Sequence, residues 1–238
     1  MRRALFFLNL IVAMGLMSQN PAGDTAREFN IYKYKSNPKD RLILEFNHTG
    51  WVGVGSGLQE KPFSGGVNLM LFFDHPIGKS YFSFAWGVGL SSFNIHGMIK
   101  LVDSLNPVNG QVIYTSISQR TEPYNINRIG LKVLEVPVEF RFRSHTNYQF
   151  KASLGFKVGY VVQSFQKIFD AHEKAKIYDI PGLNPWRYGP SFRIGVEQLH
   201  FTAFYSLSEF FLSGKGTAGV HPFYIGIAYT PRISLGRK

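Results

Sequence analysis

Hydrophobic and polar residues alternate with a period of two along eight segments of the chain. A strand turns successive side chains to opposite faces, so each segment is a predicted β-strand with two unlike faces. In the cleanest, Phe82, Phe84, Trp86, Val88 and Leu90 share one face, and Tyr81, Ser83, Ala85, Gly87 and Gly89 share the other. From Leu134 to Arg143, Leu134, Val136, Val138, Phe140 and Phe142 oppose Glu135, Pro137, Glu139, Arg141 and Arg143. From Phe150 to Val162, seven apolar residues alternate with Lys151, Ser153, Gly155, Lys157 and Gly159. Weaker copies of the pattern lie at 41–47, 67–74, 191–197, 201–207 and 223–230. No stretch after the N-terminal twenty residues or so reads as an amphipathic helix.

The connections alternate too. Those after the second, fourth and sixth segments are short: His75–Ser80, Ser144–Gln149 and Gln198–Leu199. Those after the first, third, fifth and seventh are long. An up-and-down antiparallel sheet puts alternate connections at opposite ends, and membrane barrels have short turns at one end and long loops at the other. The predicted fold is all-β, an eight-stranded antiparallel up-and-down transmembrane β-barrel spanning 41–233. A 23–40 polar arm precedes it and a 234–238 basic tail follows it. An even strand count returns both termini to one side, expected to be periplasmic.

Composition sharpens this picture. Only 17% of the 238 residues are charged, while 16% are aromatic and 24 are Gly. Soluble domains carry roughly 25% charge, so a lipid-bathed β protein fits better. The absence of Cys removes disulfides, thiolate metal sites and a cysteine nucleophile. Met1-Arg2-Arg3, the apolar run Ala4–Met17 and the polar Ser18-Gln19-Asn20-Pro21 give residues 1–22 the pattern of a secretory signal peptide. Its removal would lower the formal charge from +11 to +9 through loss of Arg2 and Arg3. The apolar run is shorter than the roughly 20 residues of a spanning helix.

A soluble lipocalin-like barrel also alternates, with its apolar face inside. Three features favour the inverted arrangement. The face of Tyr81–Ser91 opposite the aromatics is mostly Gly, Ala and Ser, which suits a crowded lumen. The apolar faces carry aromatics near strand ends, as in interfacial girdles. Charges of both signs fall on the inward parity of neighbouring strands. Arg41, Glu45, Glu135, Glu139, Arg141, Lys151, Lys157, Arg193 and Glu197 are the expected lumen charge network. If Arg143 lies opposite Gln149, Glu135 faces Lys157, Glu139 faces Ser153 and Arg141 faces Lys151. Eight strands leave a bore that side chains fill, so a general porin is not expected.

The strand Leu134-Glu135-Val136-Pro137-Val138-Glu139-Phe140-Arg141-Phe142-Arg143 resembles the recurring strand of the PorT-like outer-membrane β-barrel family of Gram-negative bacteria. Phe211–Gly216 followed by His221-Pro222-Phe223-Tyr224-Ile225-Gly226-Ile227 is similar to that family's last hairpin. The resemblance covers roughly 40–231 and implies an outer-membrane barrel. It names no activity, and some relatives assist a secretion and gliding apparatus.

The chemical motifs are thin. Gly214-Lys215-Gly216-Thr217 lacks the Gly and the Ser or Thr that a phosphate-binding loop requires, since Glu209 and Gly216 occupy those places. Gly53–Gly57 has no strand-to-helix context. Asp170, His172 and Glu173 read as a solvated loop rather than a metal site. His200 and Ser206, tested with Glu209 as a hydrolase triad, lie about 20 Å apart along one strand. No cofactor, metal or catalytic residue is expected. The expected role is non-catalytic, structural or surface-binding through long extracellular loops. The alternatives are an accessory of a secretion apparatus and a lipid A-modifying enzyme. The basic balance points to outer-membrane lipid, lipopolysaccharide included, and to secretion-apparatus proteins as partners. The signal peptide argues against nucleic acid.

Overall fold

The computed structural model describes residues 41–54, 64–78, 80–97, 99–105, 112–119, 126–144, 149–169 and 174–231. The expected signal peptide, polar arm and basic tail lie outside the described residues, as do Asp170, His172 and Glu173. Every regular element described is a strand: β1 (Leu42–Val52), β2 (Gly65–Pro76), β3 (Phe82–His96), β4 (Ile99–Leu105), β5 (Val112–Gln119), β6 (Ile126–Arg143), β7 (Phe150–Phe169), β8 (Lys174–Tyr178), β9 (Trp186–Val196), β10 (Leu199–Tyr205) and β11 (His221–Tyr229).

Eight of them close a barrel in the order β1-β2-β3-β6-β7-β9-β10-β11, and β11 returns to β1. All neighbours are antiparallel. These eight coincide with the eight alternating segments. The sequence pattern does not reveal β4 and β5, which pair as a separate hairpin within the long β3–β6 connection. Nor does it reveal β8, which pairs with the far end of β7. Closure leaves no edge along the membrane-spanning length and satisfies each strand's N–H and C=O groups laterally, as hydrocarbon surroundings require.

One end carries the short turns and both barrel ends of the chain. Backbone hydrogen bonds join these turns around the rim: Arg143 N–H to Tyr81 O (2.9 Å), Glu197 N–H to Gln149 O (2.8 Å) and Thr230 N–H to Gln198 O (2.9 Å). Glu197 adopts φ 56° there, the left-handed conformation that two-residue hairpins need.

The β6–β7 register differs from the expected one by two residues. Arg143 lies opposite Lys151, so Glu135 faces Gly159, Glu139 faces Gly155 and Arg141 faces Ser153. The turn sets this shift: Ser144 N–H bonds Phe150 O, and the Ser144 hydroxyl accepts from Phe150 N–H, both at 2.9 Å. A shift of two preserves which face each side chain occupies. It also gives each carboxylate a glycine as neighbour. A Cβ at Gly155 would come within 2.8 Å of Glu139 Cγ, and one at Gly159 within 3.0 Å of Glu135 Cγ. Pro137 has no N–H to give β3, and the β3–β6 ladder is interrupted beside it.

The apolar parity faces out. Phe82, Phe84, Trp86, Val88, Leu90, Leu134, Val136, Val138, Phe140, Leu154, Phe156, Val158 and Tyr160 are exposed, while Ser83, Ala85, Glu135, Glu139 and Arg141 are buried. Aromatic groups flank this wall. Phe82, Phe140, Phe142 and Phe150 cluster near the short turns, and Tyr160 meets Trp186 edge-on at 5.2 Å towards the other end. Ten residues of β7 at about 3.3 Å each, tilted by about 40°, rise about 25 Å, the height of a membrane barrel's apolar band.

Beyond that band the pattern inverts. On β3, Phe93 and Ile95 point inward; on β6, Ile129, Leu131 and Val133 do so, while Lys132 faces out and is exposed. Strand parity is unbroken along β6, so the chemistry of the residues changes sides rather than the backbone. β7 absorbs the change with a bulge opposite Lys132 and Val133. An outward polar and inward apolar wall is that of a barrel in water, so the long-loop end projects past the apolar band.

Candidate functional site

The barrel interior is filled in two layers. Nearer the short turns is a charged layer centred on Glu45, whose side chain is fully buried. Its Oε2 accepts from Asn68 Nδ2 (2.8 Å), Tyr224 Oη (3.0 Å) and Lys157 Nζ (3.3 Å). Its Oε1 accepts from Thr202 Oγ1 (3.3 Å) and Arg193 Nη1 (3.4 Å). These donors come from β2, β11, β7, β10 and β9, so one carboxylate on β1 ties together five other strands. Lys157 also donates to Tyr224 Oη at 2.6 Å.

Arg193 bridges to a second carboxylate. Its Nη2 lies 2.6 Å from Glu139 Oε2, which also accepts from Arg141 Nε at 2.7 Å. Arg141 continues to Asp74 at 3.7 Å, and Arg143 contacts the same carboxylate at 2.7 Å. Phe72 sits between the cations, its ring 4.2 Å from the Arg141 guanidinium and 5.5 Å from that of Arg193. Buried charges tolerate low dielectric only when paired and hydrogen-bonded, and this arrangement supplies partners across the bore.

The structure thus brings together Glu45, Glu139, Arg141, Lys157 and Arg193 from the expected set. Glu135 is buried slightly higher and accepts from the Ser91 hydroxyl at 2.8 Å. Lys157 reaches Glu45 rather than Glu135, because the register sets it opposite Pro137. Lys151 and Glu197 sit at the short-turn rim, where Lys151 Nζ donates to Glu197 O (2.9 Å) and the Glu197 carboxylate accepts from Gln149 N–H (3.0 Å). Arg41 precedes β1 and is exposed.

Asp74, Asn68, Tyr224 and Arg187 are interior groups outside the expected set. Their inward parity was readable for Asn68, Asp74 and Tyr224. Arg187 lies before the 191–197 segment, although the alternation of Trp186, Tyr188, Pro190 and Phe192 with Arg187, Gly189 and Ser191 extends through it.

The second layer is apolar. Trp51, Phe93, Ile95, Ile129, Leu131, Val133, Phe204 and Tyr224 fill the upper bore, joined by Ile180, Phe210, Phe211 and Val220 from the long loops. Tyr224 stacks between Phe93 (5.7 Å) and Phe204 (5.3 Å) while its hydroxyl reaches down to Glu45, so it links the layers. The Arg187 guanidinium also lies over Phe93 (4.0 Å) and Phe204 (4.8 Å). Two loops fold over this layer and bond each other: Asn184 N–H to Phe210 O (2.9 Å) and Leu212 N–H to Gly182 O (2.8 Å). Gly182 has φ 70°, and a Cβ there would run into the carbonyl of Lys215. Only glycine permits this approach.

The hydrolase candidates stand apart. His200 is near Thr230 at the short-turn rim, 3.5 Å between Nδ1 and Oγ1. Ser206, beyond the other end of β10, directs its hydroxyl to Ser208 O at 3.0 Å.

No curated protein matches the chain. Among solved structures it is similar to Ail, the attachment invasion locus protein of Yersinia pestis, at 12% identity over 79% of this chain and 95% of that one, with a TM-score of 0.31. The model of the outer membrane protein beta-barrel domain matches residues 28–224, most of the chain and all of the barrel up to the middle of its last strand. With a closed eight-stranded wall, an apolar outer band and a charged interior, the chain belongs to the outer membrane protein beta-barrel domain family.

Proposed function

We propose that the protein is a non-catalytic barrel, tight to solutes, whose role lies in the surface it presents outside the cell. The observation that carries this reading is the double filling of the bore. The Glu45–Arg193–Glu139–Arg141 layer and the Phe93–Tyr224–Phe204 layer lie one above the other, with loops 179–185 and 206–220 over the mouth. On this reading the short-turn end and both termini are periplasmic, and the long loops with the β4–β5 hairpin are extracellular. Within the family, the PorT-like character of Leu134–Arg143 supports a place near that branch, with secretion-apparatus proteins as the corresponding partners.

The test is electrical. Pure refolded protein in planar bilayers is expected to give no steady conductance steps. Large, reproducible steps would show that the two layers do not seal the bore and would sink the proposal.

A further inference from the structure

Above the Tyr160–Trp186 pair the outer wall changes character. Pairing sets His96 on β3 opposite Arg128 on β6, Arg128 opposite Lys167 on β7, and Lys167 opposite Lys176 on β8. Four basic residues therefore stand side by side across four strands. Lys132 lies two rows below on the same outward face, the next outward residue of β6 beyond Leu134. Directly opposed like charges destabilise a sheet, and this row repeats the opposition twice, at Arg128–Lys167 and at Lys167–Lys176. Among the described residues, Arg128, Lys132, Lys167 and Lys176 have no carboxylate within ion-pair distance. Arg128 Nε is buried without a hydrogen-bond partner.

Aromatic rings hold the row in place. The Lys176 ammonium lies 4.9 Å from the Phe165 ring centre and 4.5 Å from that of Tyr178, and the Arg128 guanidinium lies 5.5 Å from Phe165. Phe165 covers Gly130, where a Cβ would collide with its ring, so the platform is built into the wall. The row spans three strand spacings, about 14 Å. Lys132 stands where the apolar band ends, at the level of lipid headgroups, and the row lies four residues further along β6.

We propose that the outward row His96–Arg128–Lys167–Lys176, with Lys132 beneath it, is a docking site for the phosphorylated glycolipid of the outer leaflet. Phosphate groups supply the negative charge that Arg128, Lys167 and Lys176 do not find among the described residues, and the apolar wall below takes the acyl chains. Arg128 offers planar paired donors and the lysines act as point charges. The site rests on the extracellular placement of the long-loop end proposed above but lies on the barrel's outside, so it holds whether or not the bore conducts.

The test measures affinity of the full-length folded protein, in zwitterionic detergent, for bisphosphorylated lipid A and for its dephosphorylated form. Intrinsic tryptophan fluorescence reports binding, since Trp186 pairs with Tyr160 at the lower margin. The wild type is expected to prefer the phosphorylated form, with affinity falling steeply as salt rises. Combining Arg128→Gln, Lys167→Gln and Lys176→Gln is expected to weaken binding about a hundredfold. Lys33→Gln, Lys35→Gln and Lys39→Gln together remove the same charge from the N-terminal arm and are expected to leave binding unchanged. Equal affinity for both lipids, salt-independent binding, or wild-type affinity in the triple variant would overturn the proposal. Should the triple variant fail to fold, Lys132→Gln replaces it, with the same two readings at about a fivefold loss.

Discussion

Replacing Glu45 by Ala is expected to lower the barrel's unfolding free energy by about 3–5 kcal/mol, the largest effect of any single interior substitution. Five side chains donate to this carboxylate, and two of them, Lys157 and Arg193, are cations buried within the bore. Arg193 retains Glu139, but the Lys157 ammonium is left with Tyr224 Oη and the Met70 sulfur. An uncompensated buried cation costs far more than a lost neutral hydrogen bond, which is worth about 1 kcal/mol. Combining Glu45→Ala with Lys157→Met is therefore expected to recover a substantial part of the loss, because the stranded charge is gone. Urea unfolding of protein reconstituted in phospholipid vesicles measures both. A loss below about 0.5 kcal/mol for Glu45→Ala, or no recovery in the double variant, would mean that water hydrates these charges separately.

The second large effect concerns the outer wall. Leu154→Arg is expected to destabilise the protein in vesicles by about 2–4 kcal/mol, the cost of a cation near the bilayer midplane on a lipid-facing position. Leu154 is 65% exposed, so little packing within the protein is lost and the cost is almost wholly that of lipid contact. Val162, eight residues along β7 and beyond the Tyr160–Trp186 level, is the comparison. Val162→Arg is expected to cost about 0–1 kcal/mol, because interfacial positions tolerate charge. Equal costs at the two sites would contradict the assigned depth of the wall.

The eight barrel strands were legible because each has an apolar lipid face and a small or charged lumen face over most of the membrane height. The period-two signal is then written into the residue types. The same logic explains what was not legible. Above Leu134 on β6 and Leu90 on β3 the wall inverts, so Ile129, Leu131, Phe93 and Ile95 interrupt the alternation although the strands continue. The extra height of β3, β6 and β7 was read as loop for that reason. The register was missed by two residues because the Ser144–Gln149 turn closes on Ser144 and Phe150, a choice that composition does not dictate. Parity survived the error, so Glu139 and Arg141 still point inward. The pairing of Lys157 with Glu45 crosses the bore between β7 and β1, and one-dimensional spacing holds no record of such contacts. Tyr224 and Arg187 were overlooked as interior groups for a related reason: their partners lie on strands far away in sequence.

The most direct measurement of the inside-out wall and its inversion uses single cysteines along β6. The chain contains no native cysteine, so each introduced one reports alone. Spin labels at positions 132 to 140 in vesicles are to be scored for contact with oxygen, which partitions into lipid, and with a water-soluble nickel chelate. A wall that is inside-out up to Leu134 and inverted beyond it gives oxygen contact at 134, 136, 138 and 140, protection from both reagents at 133, 135, 137 and 139, and chelate contact at 132. Oxygen contact at 135 and 139 with protection at 136 and 138, or lipid contact at 132, would contradict it.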